Sequence, residues 1–95
     1  MTVEELHKRL IESGISENGY YLQGLYGSSN DSDKIALTVK KGKYSIEYEV
    51  YFKERNEKHS IKIFTSEDEA CQYIFDKLIK NNEVEDKYSK VSNGE

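Results

Sequence analysis

The sequence has little of what secreted scaffolds and membrane proteins need. It contains a single cysteine, Cys71, so no internal disulfide can form, and a disulfide-stapled secreted fold is excluded. No apolar run approaches the roughly 18 residues of a membrane-spanning helix. The first ten residues, MTVEELHKRL, lack the apolar core of a signal peptide. We therefore expect a cytoplasmic protein without a membrane partner.

Tryptophan is also absent, and the aromatic residues are eight Tyr and three Phe. The 95 residues fit one small domain. A chain of this length can bury a modest core but not a core together with a deep, enclosed active site. Hydrophobic residues make up 36% and charged residues 34%, and the apolar residues recur periodically, which indicates a folded protein.

Acidic residues outnumber basic ones, and the formal net charge is −4. Binding to nucleic acid or to an anionic membrane requires cations, so we expect neither partner. The balance is compatible with a basic protein partner. Residues 40–62 differ from the rest, because they carry seven bases against four acids.

Two segments have the spacing of amphipathic helices. Over residues 2–13 apolar side chains recur at helical intervals, and Thr2 and Glu5 have the spacing of a capping box. A second helix is predicted to begin at Ser66 and to end at Asn81-Asn82. Both predicted helices have a single apolar stripe.

Three segments between the helices predict strands, because apolar and polar residues alternate along them: residues 35–40, 44–53 and 59–64. Residues 20–26 predict a short strand or an extended segment, with Gly24 as an unfavourable residue in its middle. Ile61 and Ile63 are expected to face the core. The clearest strand, residues 44–53, has two distinct faces. One face is expected to point toward the core and consists of Tyr44, Ile46, Tyr48, Val50 and Phe52. The other face carries Glu47, Glu49 and Tyr51.

This order predicts an α+β fold with an N-terminal helix, a three- to four-stranded antiparallel sheet and a C-terminal helix. Because each helix has only one apolar stripe, both are expected to pack on the same face of the sheet. Residues 1–82 form the predicted domain, and residues 83–95 a frayed C-terminal tail. The other face of the sheet is then left to solvent or to a partner.

The sequence contains no recognisable catalytic or metal-binding pattern. His7, His59 and Cys71 do not have the short paired spacing of a zinc site, and we expect solvated surface positions for both histidines and a buried structural position for Cys71. Asp31-Ser32-Asp33 begins like a calcium loop but lacks the later Gly and Glu. We therefore predict no metal, no cofactor and no enzymatic activity.

The helix–strands–helix order also occurs in domains that bind double-stranded RNA. Such domains place cations at the start of the second helix to contact phosphates. Here that position carries Glu67, Asp68 and Glu69, whose charges would repel the RNA backbone, so this function is rejected.

The predicted outer face of the sheet is the best candidate for a binding surface. Glu47, Glu49 and Tyr51 would form an anionic surface with an aromatic contact residue, and Glu54 and Arg55 lie at the adjacent turn. The alternative is that these residues are only the solvated side of the sheet. If the site lies elsewhere, the acidic helix start over residues 67–69 is the next candidate.

Two segments resemble a family of small bacterial immunity proteins, identified as the immunity protein fifty-nine family. They are EYEVYFKERN, residues 47–56, and IKIFTSEDEACQYIFDKL, residues 61–78. The family pattern has a Trp in the central strand and a Gly after Glu-Arg. This chain has Tyr44 and Tyr48 in the strand and Asn56 after Arg55, and Asn tolerates a left-handed turn.

The resemblance implies that the protein neutralises a cognate secreted toxin by direct binding. Many such toxins are nucleases with basic active sites, which an acidic surface would complement. The alternative function is a small regulatory or scaffold module that binds a protein, for example by accepting a strand at an exposed sheet edge.

Overall fold

The computed structural model describes the backbone of residues 1–94 and the side chains of residues 1–80. Helix α1 spans Val3–Glu12, and Thr2 and Glu5 form the reciprocal capping box expected from the sequence. Helix α2 spans Glu67–Gly94, and the Ser66 hydroxyl accepts a hydrogen bond from the backbone N–H of Glu69 at 3.3 Å. Both helix starts are therefore confirmed.

The predicted end of the second helix at Asn81-Asn82 is wrong, because the backbone of α2 continues as helix to Gly94. Asn is a weak helix former but not a helix breaker, so two of them do not terminate a helix by themselves. The side chains after Lys80 and all of Glu95 lie outside the described residues. The division into a domain of residues 1–82 and a tail of residues 83–95 therefore stays a prediction.

The fold is α+β, with two helices and a five-stranded, mostly antiparallel sheet in the order β2-β1-β3-β4-β5. The strands are β1 Tyr20–Leu22, β2 Tyr26–Gly27, β3 Lys34–Lys41, β4 Ile46–Glu54 and β5 Glu57–Phe64. A single turn of 3₁₀ helix, Glu17–Gly19, leads into β1.

The fifth strand comes from the predicted segment 20–26, which folds as the small β1–β2 hairpin rather than as one strand. Gln23 and Gly24 have φ values of 58° and 73°, which reverse the chain there. The chain then crosses to the other side of β1, and β3 begins at the same end as β1. Consequently β1 and β3 pair in parallel, with Tyr20 opposite Ile35. The predicted antiparallel sheet is confirmed for the other strand pairs, and the parallel pair and the fifth strand are additions to it.

Both helices pack on one face of the sheet, which we call the inner face. The core there is a single cluster of buried residues from α1, α2, β1, β3 and β4: Val3, Leu6, Leu10, Tyr20, Leu22, Leu37, Val50, Ala70, Cys71 and Ile74. Gly27 is part of its boundary, because a Cβ at this position would collide with the backbone oxygen of Tyr20.

Strand β5 faces the opposite way from the prediction. Ile63 pairs with Glu49 and therefore lies on the outer face, and Ile61 and Ile63 are 49% and 52% exposed. Phe64 takes the inner position instead and contacts the ring of Tyr73 at a centroid distance of 5.5 Å. The prediction that Ile61 and Ile63 face the core is therefore wrong, because Phe64 occupies the inner side of β5.

The two ends of β4 differ slightly from the predicted strand of residues 44–53. Strand β4 begins at Ile46, and Tyr44 lies in the loop before it with 89% exposure, so Tyr44 is not a core residue. At the other end only Arg55 and Asn56 form the turn, with φ values of 52° and 65°. Asn56 adopts the left-handed conformation expected for it.

Candidate functional site

The five residues predicted to bind a partner all lie on β4 or at its end, but they do not form one exposed surface. Glu54 lies seven positions after Glu47, which corresponds to about 23 Å along an extended strand. Glu47 is half-buried, Glu54 and Arg55 are exposed, and Glu49 and Tyr51 are only 6% and 3% exposed. The middle of the predicted site is therefore covered.

Two lysines cover Glu49 from the neighbouring strands. Lys58 Nζ donates to Glu49 Oε1 at 2.8 Å, and Lys40 Nζ donates to Glu49 Oε2 at 3.1 Å. These hydrogen bonds, that of Lys58 above all, lower the pKa of the Glu49 carboxyl below its ordinary value. A carboxylate held between two ammonium groups is satisfied within the protein, so Glu49 has little capacity left for a partner.

Tyr51 belongs to a second polar contact on the same face. Its hydroxyl donates to Asp31 Oδ2 at 2.8 Å, and the Thr38 hydroxyl lies 3.1 Å from the tyrosine oxygen. Burial, together with Asp31, raises the pKa of Tyr51 to about 12. The hydrogen bond from Tyr51, together with Lys53 Nζ at 3.4 Å, lowers the pKa of Asp31.

We call this set the outer network: Asp31, Thr38, Lys40, Glu49, Tyr51, Lys53 and Lys58. Lys58 Nζ also lies 4.5 Å above the Tyr51 ring, so lysine stems cover the aromatic surface. The network contains three lysines and two carboxylates, which gives a formal charge of +1. The expectation of an exposed acidic face at Glu49 and Tyr51 is therefore wrong.

The exposed part of the predicted site is the β4–β5 turn. Arg55 has a φ of 52°, a left-handed conformation that costs a residue with a Cβ about 1–2 kcal/mol. On either side of the turn Glu54 pairs directly with Glu57, and like charges at opposed positions repel each other. Glu54 and Arg55 are thus accessible to a partner, but both lie far from Glu47.

The second candidate from the sequence, the acidic helix start over residues 67–69, lies beside the acidic start of α1, and we call the two together the acidic corner. Sequence reasoning named residues 67–69 but missed that they meet the first turn of α1. The backbone N–H of Val3 donates to Glu67 Oε2 at 3.0 Å, which brings the first turn of α1 next to the first turn of α2. The corner consists of Glu4, Glu5, Glu67, Asp68 and Glu69. The only signal in the sequence was the pair of acidic helix starts, and their meeting is a tertiary contact between distant residues.

His7 is not a solvated surface residue, contrary to expectation. Its Nδ1 lies 2.9 Å from the hydroxyl of Tyr20, and its ring stacks on Tyr26 at a centroid distance of 4.9 Å. These contacts connect α1 to the β1–β2 hairpin. His59 is exposed as expected. Cys71 is fully buried, and burial, with Glu67 nearby, raises the pKa of its thiol to about 11.

A groove of about 540 Å³ lies on the inner face where α1 ends. Its apolar walls come from the loop after α1, the sheet and α2: Ile15, Ile35, Phe52, Tyr73 and Leu78. Ser60 of β5 and Lys77 of α2 also line the groove. The groove thus continues toward the edge of the sheet.

Within residues 1–80, no three His, Cys, Asp or Glu side chains come together as metal ligands would. None of the helices in the described part of the chain combines the length and the apolar character needed to cross a membrane.

Comparisons of the chain with protein-family models, with curated proteins and with solved structures gave no match. The resemblance of residues 47–56 and 61–78 to immunity proteins therefore stays a prediction.

Proposed function

We propose that this protein is a cytoplasmic immunity protein that binds a cognate secreted bacterial toxin and neutralises it without catalysing a reaction. The proposal begins with the resemblance of the β4–β5–α2 segments to such proteins. The observation that supports it in the structure is the acidic corner, where the acidic first turns of the two helices meet through the contact between Val3 and Glu67. Glu4 pairs with Lys8 and Asp68 with the N-terminal ammonium group, and Glu69 is exposed. A toxin with a basic active site, such as a nuclease, would be attracted to such a surface.

The proposed contact surface differs from the one expected from the sequence. Glu49 and Tyr51 are engaged in the outer network, so their role is to maintain the sheet. Asp68 and Glu69 are exposed at the acidic corner. The Asp68 carboxylate pairs with the N-terminal ammonium group of Met1, whereas Glu69 forms no salt bridge within residues 1–80. Glu69 therefore carries the charge that is most available to a basic partner. Glu54 and Arg55 remain candidates for a secondary contact, since both are exposed at the turn.

Growth rescue tests the function. The C-terminal domain of the protein encoded immediately upstream is expressed alone and together with this chain. We expect the domain to inhibit growth and co-expression to restore it, with the two proteins forming a complex that co-purifies. Toxicity that persists during co-expression of soluble immunity protein would reject the proposal for that pair.

Two matched double variants test the surface. Asp68→Asn with Glu69→Gln removes two charges from the acidic corner, and Glu12→Gln with Glu17→Gln removes two exposed charges from the other end of α1. We expect at least tenfold weaker binding to the toxin domain for the first variant at low salt, because attraction between exposed charges is lost. Equal affinities of the two variants would place the contact elsewhere.

The free edge of the sheet favours a second candidate function, a regulatory or scaffold module that binds a protein. Among the described residues, no strand pairs with β5 on the side that faces away from β4. Absence of any toxicity from the upstream gene product would make this the better proposal.

A further inference from the structure

Strand β5 is the longer of the two edge strands of the sheet, and its side chains are exposed along nearly its whole length. All of its residues except Phe64 are exposed, and Ile61 and Ile63 are about half exposed on the outer face. Every second residue of an edge strand directs its N–H and C=O away from the sheet. The pairing of β5 with β4 shifts by one residue at Ser60, which has a φ of 54°. After this bulge, residues 61–64 offer regular backbone donors and acceptors beside two apolar side chains.

The inner side of the same edge is basic. Lys62 Nζ lies 5.3 Å from the centre of the Tyr73 ring, and Lys77 Nζ lies 5.8 Å from it. Neither lysine forms a salt bridge within residues 1–80. This distinguishes them from Lys40 and Lys58, which both pair with the Glu49 carboxylate.

We propose that the β5 edge receives an extended segment of a partner protein as an additional strand, with apolar side chains over Ile61 and Ile63 and carboxylates toward Lys62 and Lys77. Strand addition uses the backbone for affinity and the alternating side chains for specificity. The groove bordered by Ser60 and Lys77 adjoins this edge and gives space for one larger side chain of the segment.

A second copy of this chain fits the edge less well. In the antiparallel register that brings Ile61 of one copy opposite Ile63 of the other, Lys62 comes directly opposite Lys62. Like charges at opposed positions destabilise a strand pair, and lysine on an edge is a common protection against self-association. The charge that opposes a second copy attracts an acidic segment.

The proposed strand site lies on a different surface from the acidic corner. It shares with the proposed function only the premise that the protein acts by binding a protein. A failed growth rescue would reject the immunity function but not the strand site. A failed peptide titration would reject the strand site but not the immunity function.

The test is a titration of the full-length, ¹⁵N-labelled protein with the synthetic peptide Val-Glu-Val-Glu-Val-Glu, acetylated and amidated at its ends. We expect saturable shifts of the β5 amides. The matched peptide with Lys in place of Glu should bind at least tenfold more weakly, and a peptide with Pro at its third position should not pair. Shifts confined to other elements, or no saturable shift at millimolar peptide, would overturn the proposal.

Charge variants complete the test. Lys62→Glu and Lys77→Glu are exposed substitutions that should each weaken binding of the acidic peptide at least fivefold. Lys8→Glu, on the exposed side of α1, makes the same charge change away from the edge and should change affinity less than twofold. Equal effects of all three would show that only net charge matters and would contradict a defined strand site.

Discussion

The centres of the two faces of this sheet are both covered, but by different groups. The inner face is covered by α1 and α2, and its centre consists of apolar side chains such as Leu37 and Val50. No described helix covers the outer face, where Glu49 and Tyr51 are nevertheless almost fully buried. There the cover consists of lysine side chains and the loop that carries Asp31.

This difference teaches that a sheet face without a helix need not be a binding surface. Alternation along β4 correctly separates the two faces, but it does not reveal how exposed the polar face is. A buried polar group is tolerated when its hydrogen bonds are satisfied, and those of Glu49 and Tyr51 are. Among residues 1–80, the surfaces that we propose for a partner are therefore the acidic corner, the β4–β5 turn and the β5 edge.

The largest expected effect is on the inner face. Leu37→Ala removes a fully buried side chain, and we expect the free energy of unfolding to fall by about 2–5 kcal/mol, because apolar contacts are lost and a cavity remains. Urea unfolding measures this. Val39→Ala is the control on the same strand face, since Val39 is only half-buried, and its cost should be clearly smaller. Equal losses would contradict a core centred on Leu37.

A smaller effect is expected for Tyr51→Phe on the outer face. The substitution keeps the ring and removes the hydroxyl that binds Asp31 and Thr38, so we expect a loss of about 1–3 kcal/mol in urea unfolding. The wild type should also lose stability from pH 10 upward, because a tyrosine with a raised pKa stabilises the fold only while protonated. Tyr51→Phe should lose less over that alkaline range. Unchanged stability of the variant would contradict the outer network.

Mild acid should have the smallest of these effects. The pKa values of Asp31 and Glu49 are lowered from ordinary values of 3.8 and 4.5, so the unfolded chain binds protons first as the pH falls. Their contribution to stability is therefore complete above about pH 5 and is lost as the pH falls through the lowered values. Urea midpoints measured from pH 6 downward should show this, and Lys58→Met should flatten the profile. An unaltered profile in that variant would argue against the ion pair.

Much of the fold could be predicted from the sequence because it depends on local patterns. The caps at Thr2 and Ser66, the helical spacing and the alternation in β4 are properties of neighbouring residues. The left-handed conformation of Asn56 belongs to the same class. The α+β order and the packing of both helices on one face follow from these features.

The remaining features depend on contacts between distant residues. Tyr51 is buried partly by Asp31, 20 residues away, and composition gives no sign of that contact. The orientation of β5 depends on Phe64 taking the inner side, which alternation of isoleucines alone could not reveal. The acidic corner requires α1 and α2 to begin side by side, which is a contact between distant residues. The proposed contact surface therefore lies at the helix starts and not on β4, although β4 itself was predicted.

Glu49 maintains the sheet and is not an exposed binding residue, and a matched pair of substitutions on β4 tests this role most directly. Glu49→Gln and Glu47→Gln remove the same charge from the same face two residues apart, and urea unfolding compares them. We expect Glu49→Gln to lose about 1–3 kcal/mol, because two charge-assisted hydrogen bonds are weakened. Glu47→Gln should stay within about 0.5 kcal/mol of wild type. Equal stability of the two variants would contradict the claim and return Glu49 to the list of partner-binding residues.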